Sequence, residues 1–167
     1  GYSGLPLLSD ILNLVDGRQA LLIEIKDQDG KMGKNVGELE SEVARLLDNY
    51  NGPVAVMSFN PNSIDAYRLS GGKCPIGLVT DSFSEISWPN IHPEDLIKLR
   101  KIESFDRVSV DFISHDFKDL HSTEVAKLRE KKVPILSWTI KSEADEEIAR
   151  EYSDNITFEG YMAKHIC

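Results

Sequence analysis

The chain has 167 residues, 41% of them hydrophobic and 28% charged, with a formal net charge of −9. That length suits one domain spanning residues 1–167 with a sizeable core, and no apolar run approaches the length of a membrane span. The acidic excess, with no lysine or arginine stripe, gives a long-range field that repels nucleic acid and anionic lipid.

An anionic small substrate would have to be met by local positive charge, for which a divalent cation is the obvious source in an acidic protein. The cysteines, Cys74 and Cys167, make neither a disulfide framework nor a metal-ligand spacing, so both are expected to be plain thiols, which tilts toward a cytoplasmic setting. The opening Gly1-Tyr2-Ser3-Gly4 shows no basic-then-apolar leader.

Leu8, Ile11, Leu12 and Val15 recur at helical spacing and predict an amphipathic helix over 6–15. Leu21-Leu22-Ile23-Glu24-Ile25-Lys26 follows, a short branched apolar run of the kind that forms a strand in a helix-covered parallel sheet. Side chains alternate along a strand, so Glu24 and Lys26 share one face and Ile23 and Ile25 the other. On these residues alone the pair reads in two ways. It is an ordinary surface ion pair, or Glu24 binds a metal and Lys26 a phosphate.

Turn residues 27–31 lead to a second helix marked by Leu39, Val43, Leu46, Leu47 and Tyr50. After Asn51-Gly52-Pro53, residues 54–59 predict a second strand. Asn60 is then placed to cap a helix that starts at Pro61 and closes at Gly71-Gly72. A strand over 75–80 precedes a long loop, 81–93, that carries Trp88, and loops of this length after a strand are often functional.

A short helix around Leu96, Ile97 and Leu99 comes next, then an expected strand over 108–112, a helix over 123–131 and a strand over 133–140. Ser142, three residues before Asp145, suggests a capped helix through Tyr152, and 155–158 predicts the last strand. His115 and His121 lie in loop-like surroundings and read as solvated.

Strands alternating with helices make an α/β fold with a parallel sheet. Strand count alone favours an open doubly wound sheet over a closed (β/α)8 barrel, which needs about 250 residues. No glycine-rich nucleotide loop follows a strand, and there is no serine elbow or paired-histidine zinc helix. What recurs is polar or aromatic residues at the expected carboxyl ends of strands: Glu24 and Lys26, Ser58 and Phe59, Asp111, Trp138 and Thr139, Glu159. That edge is where ligands bind in such folds, though any one of these residues is more often structural.

Leu5-Pro6-Leu7-Leu8-Ser9-Asp10-Ile11-Leu12, the strand Leu21 to Lys26, Ser58-Phe59 and Trp138-Thr139, in this order and spacing, resemble the glycerophosphodiester phosphodiesterase family. The resemblance runs over essentially the whole chain. It implies a TIM-type (β/α)8 barrel, here lacking its first two strand-helix units, that hydrolyses glycerophosphodiesters to an alcohol and glycerol 3-phosphate with a divalent cation, Mg²⁺ or Ca²⁺.

The resemblance also assigns residues. Glu24 matches a metal carboxylate, Lys26 the basic residue beside the substrate phosphate, and Phe59 and Trp138 aromatics of the substrate cleft. The family's catalytic histidines belong to the units before the leucine-rich helix, so no catalytic acid or base is expected within this chain, and an N-terminal segment is expected upstream of Gly1.

Ile140-Lys141 and Thr157-Phe158-Glu159-Gly160 depart from the common family pattern, which bears on the glycerol-end contacts. Glu159 either replaces a usual aspartate or caps the rim. Two other readings stand beside the hydrolase: a phosphate-binding partial barrel without turnover, and a phospholipase-type phosphodiesterase on a related barrel.

Overall fold

The computed structural model describes residues 4–164. Leu8–Val15 forms α1 and leads into β1, Leu21–Glu24. There follow α2 (Glu38–Leu47), β2 (Val54–Ser58), α3 (Pro61–Leu69), β3 (Ile76–Thr80), α4 (Pro93–Arg100) and α5 (Ser104–Val108). The chain continues through β4 (Phe112–Asp116), α6 (Thr123–Glu130), β5 (Ile135–Ile140), α7 (Glu143–Arg150) and β6 (Asn155–Phe158).

Local chemistry fixes several of these boundaries. The Asn60 side chain accepts from Asn62 N at 2.9 Å and Pro61 opens α3, as the sequence predicts, while Gly71 ends that helix at φ 87°. Ser142 Oγ likewise accepts from Asp145 N at 3.2 Å and starts α7.

The strands pair in parallel in the order β1-β2-β3-β4-β5-β6, with no reversal. Right-handed crossovers between successive neighbours put every connecting helix on the same side, so the sheet curls instead of taking helices on both faces. This corrects the expectation from strand count: a doubly wound sheet needs a point where strand order reverses, and the described strands have none.

Curling brings the two edges toward each other. Gln19 and Ala20 ahead of β1 share a cavity of about 710 Å³ with Asn155, Ile156 and Phe158 of β6. The result is a half-barrel.

Its two faces bury different things. Ile25, Val56, Ile76, Leu78, Ile113 and Ile135 point outward and pack under the helices with Val43, Leu47, Ile64, Val125 and Leu128. Met57, Val79 and Phe112 point inward and form a floor with Ala55, Phe59, Leu136 and Trp138. Burying each of the first three stabilises the fold by about 1.5–3 kcal/mol. Gly77 is required beneath this floor, since a Cβ there would lie 2.1 Å from Cε2 of Phe112.

Two expectations move. The strand expected over 108–112 is Phe112–Asp116, because Val108 is buried as the last residue of α5 and Ser109, at φ 48°, turns the chain out of the helix. Asp111 consequently lies at the amino end of β4, not at a carboxyl end. Its carboxylate takes the Ile76 amide at 2.8 Å and the Arg68 guanidinium at 2.9 Å.

Cys74 is a half-buried free thiol. Cys167 and the first three residues, on which the leader reading rested, lie outside the described part. No described helix is long and apolar enough to cross a membrane.

Candidate active site

The register places the charged face of β1 on the inside of the curl. Glu24 pairs with Met57, a floor residue, while Ile23 pairs with Val56 on the helix side. Alternation therefore puts Glu24 on the concave rim at the carboxyl end of β1, and Lys26, two residues past the strand, pairs with it there. Lys26 Nζ donates to Glu24 Oε1 at 2.8 Å; the lysine side chain is 73% exposed and the glutamate 20%. A carboxylate held at the wall thus aims an ammonium into open space, which suits an anion arriving from solvent better than it suits stability. An ion pair this exposed contributes at most about 1 kcal/mol.

Phe59, just past β2, reaches across the curl to Trp138 of β5, with ring centroids 5.5 Å apart and nearly perpendicular. Trp138 Nε1 donates to the Ser114 carbonyl at 2.9 Å, which fixes the indole over β4. The structure therefore brings Glu24, Lys26, Phe59 and Trp138 to one rim.

The long loop after β3 adds residues that the sequence reading left out of the site. Trp88 stacks at 5.1 Å from Phe59 and 5.5 Å from buried Phe83, and its Nε1 donates to Asp81 Oδ2 at 2.9 Å. Asp81 follows β3, and Asp116, at the end of β4, pairs in register with Trp138. Burial, with some help from the Asp116 charge, lifts the Asp81 carboxyl above the usual aspartate range, against the pull of the Trp88 and Phe83 N–H groups. The signal available in the sequence was a tryptophan in a long loop leaving a strand. The contact itself depends on the fold of that loop.

Other rim expectations resolve as structure. Ser58 is buried; its Oγ donates to the Ile25 carbonyl at 2.7 Å and accepts from Asn60 N at 3.1 Å, locking β1 to β2. Glu159 is exposed and paired with Lys141 at 2.8 Å.

His121 is exposed against Tyr152. His115 corrects the solvated reading. It lies within β4 and is 1% exposed on the helix side, with Nδ1 2.7 Å from Thr80 Oγ1 and Nε2 3.2 Å from Asp119 Oδ2. Desolvation pushes its pKa down, against the pull of Asp119. Facing away from the rim, it is not a proton-transfer group for a substrate there.

A hard divalent cation takes about six oxygen ligands. Among the described residues no three histidine, cysteine or carboxylate side chains converge to hold one. One Glu24 oxygen is already bonded to Lys26. Nearby Asp27 is occupied in pinning its loop, accepting from Met32 N at 3.1 Å and Asn60 Nδ2 at 2.7 Å. The described residues therefore do not make a cation site by themselves.

No family model matches the chain, and no curated protein matches it in sequence. Solved structures do match in fold. An Oleispira antarctica phosphodiesterase in complex with the product sn-glycerol-3-phosphate aligns over 92% of this chain and 57% of its own, at TM-score 0.66 and 14% identity. A Parabacteroides distasonis glycerophosphodiester phosphodiesterase aligns over 92% of this chain and 59% of its own, at TM-score 0.63 and 17% identity.

A Silicibacter pomeroyi protein assigned as a glycerophosphoryl diester phosphodiesterase gives TM-score 0.69 at 18% identity, over 90% of this chain and 52% of its own. The chain spans a little more than half the length of these structures. Six parallel strands curled around one apolar floor, with every connecting helix outside, give this chain the fold of a partial TIM barrel, like that of the glycerophosphodiester phosphodiesterases.

Proposed function

We propose that the protein hydrolyses glycerophosphodiesters. Water attacks phosphorus, the bond from phosphorus to the alcohol oxygen breaks, and the products are the free alcohol and glycerol 3-phosphate. The observation that carries this reading is the Lys26 ammonium, held at 2.8 Å by Glu24 on the concave rim, in a fold like that of these enzymes.

Lys26 meets the phosphate and balances charge that grows on its oxygens as the bond to the alcohol breaks. Phe59 and Trp138 cover the diester and exclude water from the far side of the cleft. The described residues supply charge, orientation and a dry wall, and the proton-transfer groups are not among them. In this reading Glu24 gives one carboxylate oxygen to a divalent cation, Mg²⁺ or Ca²⁺. A free Cys74 thiol suits a cytoplasmic setting.

The test is release of glycerol 3-phosphate from a glycerophosphodiester by the purified complete protein, with and without added Mg²⁺ or Ca²⁺. Glu24→Gln, which keeps shape and removes charge, should abolish metal-dependent release. Unchanged turnover and unchanged metal affinity in that variant would remove Glu24 from the site.

The lack of converging metal ligands among the described residues favours one second reading, a phosphate-binding half-barrel without turnover. Calorimetric titration with glycerol 3-phosphate separates the two. Binding through Lys26 with no hydrolysis under any metal condition supports the second.

A further inference from the structure

Two loops that leave the sheet on either side of β2 are built alike and meet above it. Residues 25–37 follow β1 and residues 81–92 follow β3, so about 10 Å of sheet separates their roots. Each loop holds one bulky residue in the left-handed backbone region, Met32 at φ 53° and Phe83 at φ 44°. Glycine takes such angles freely, whereas a long or aromatic side chain does so only under strain.

Both residues are clamped in the same way. The Met32 amide donates to Asp27 Oδ2 at 3.1 Å, and its carbonyl accepts from Asn62 Nδ2 at 3.1 Å. The Phe83 amide donates to Asp81, and its carbonyl accepts from Arg100 Nη2 at 3.0 Å. In each case an aspartate near the root of the loop takes the N–H and a helix side chain, from α3 or α4, supplies the donor for the C=O. Asn60 Nδ2 adds bonds to Asp27 Oδ1 at 2.7 Å and to the Gly33 carbonyl at 2.9 Å, which pins the first loop from below.

The side chains held this way go to one place. Met32 and Phe83 are buried with Ile91 and Leu96 in a small apolar cluster, and Phe59 and Trp88 pack against it. The Phe83 ring lies 6.3 Å from Phe59 and 5.5 Å from Trp88. The two loops also approach along their chains, since a Cβ on Gly30 would lie 3.9 Å from Asn90 Nδ2. Strain of this kind persists only where the surroundings enforce it, and here it recurs on two loops that share a single cluster.

We propose that Met32 and Phe83 are positioning residues, paired as a latch that fixes the loop after Lys26 to the loop carrying Trp88. Lys26 stands where the first loop begins, and Phe59 and Trp88 rest on the cluster. The latch therefore sets how the charged end of β1 stands relative to the aromatic wall. Its effect on turnover rests on the diesterase reading, while the coupling of the two loops does not. A displacement of about 1 Å between groups that hold a substrate can cost about 100-fold in rate.

Amide hydrogen exchange of the purified complete protein, read by mass spectrometry without substrate, tests the coupling. Met32→Gly suits the backbone angle and removes the side chain. It should speed exchange about tenfold in residues 81–92 as well as in its own loop, and Phe83→Gly should speed it in residues 27–37, because coupling is reciprocal. Residues 135–158, across β5 and β6, should exchange as in wild type. Asn62→Ala frees the Met32 carbonyl from outside the cluster and gives the same comparison if Met32→Gly does not fold. Met32→Leu, which keeps an apolar side chain, should restore slow exchange.

In diester hydrolysis Met32→Gly should lower kcat about 10–100-fold and leave KM within about twofold, because Lys26 keeps its bond to Glu24. Exchange that rises only in the mutated loop, exchange that rises evenly across the sheet, or freed loops with unchanged kcat would each overturn the proposal. Coupled loops in a protein that hydrolyses no diester would leave the latch standing and remove the hydrolase, whereas hydrolysis with loops that exchange independently would do the reverse.

Discussion

Acidification should destabilise the protein through one buried ring, His115. The neutral tautomer with its proton on Nε2 satisfies both neighbours, donating to Asp119 at 3.2 Å and accepting from Thr80 Oγ1 at 2.7 Å through Nδ1. At 1% exposure a second proton is poorly solvated, so the folded pKa lies below the ordinary 6.5. The unfolded chain takes up that proton near 6.5 and the folded chain does not.

Stability from this group is therefore full above the unfolded value and falls as pH drops toward the folded one, by up to about 1.4 kcal/mol per pH unit. Urea denaturation of wild type should show a loss of about 1 kcal/mol between about pH 7.5 and about pH 5.5 that His115→Gln, which preserves one acceptor and one donor, does not share. Asp81 has the opposite sign, its folded pKa being raised, and it stays raised in His115→Gln, which only removes a small opposing pull from the His115 charge. Asp119→Asn removes a group that holds the His115 pKa up, so the loss should extend to lower pH. Identical pH profiles for wild type and His115→Gln would refute the assignment.

Lys26→Met should lower kcat/KM for a glycerophosphodiester about 100-fold, the value of a charged hydrogen bond to phosphate made fully in the transition state. Its 73% exposure predicts an unfolding free energy from urea denaturation within about 0.5 kcal/mol of wild type. Gly77→Ala, which drives a methyl against the Phe112 ring, should cost about 1–3 kcal/mol in urea denaturation, and Phe112→Leu in the same chain should recover part of it. Ser58→Ala leaves the Asn60 amide without its side-chain acceptor and the Ile25 carbonyl without its donor, both buried, and should cost about 1–3 kcal/mol by the same measurement.

The half of the site on β1 was legible because one strand's alternation decides it. The register against Met57 puts Glu24 on the inside, and Lys26, two residues past the end of β1, stays beside it through their 2.8 Å ion pair. Capping chemistry at Asn60 and Ser142 was legible for the same reason, being settled within a few residues of chain. β4 was not. Val108-Ser109-Val110 alternates like a strand, but Val108 is buried as the end of a helix, whereas the actual strand carries Ser114, His115 and Asp116 in a row. A strand with buried polar groups on both faces has no apolar period to read. Its Ser114 faces the floor and its His115 the helices, each buried at a cost that only tertiary partners decide.

The same strand supplies Asp116, and the loop after β3 supplies Asp81 and Trp88, whose contact only the fold of that loop makes, so what was hardest to read coincides with the acidic part of the rim. This coincidence has a physical basis. Polar residues on a strand break the apolar pattern that makes it readable, and a half-barrel can tolerate them only where the floor of Met57, Val79 and Phe112 already closes the core beneath. Weakening that floor should therefore loosen the rim before it unfolds the sheet, a relation that ties the Gly77 variant to the site as well as to stability.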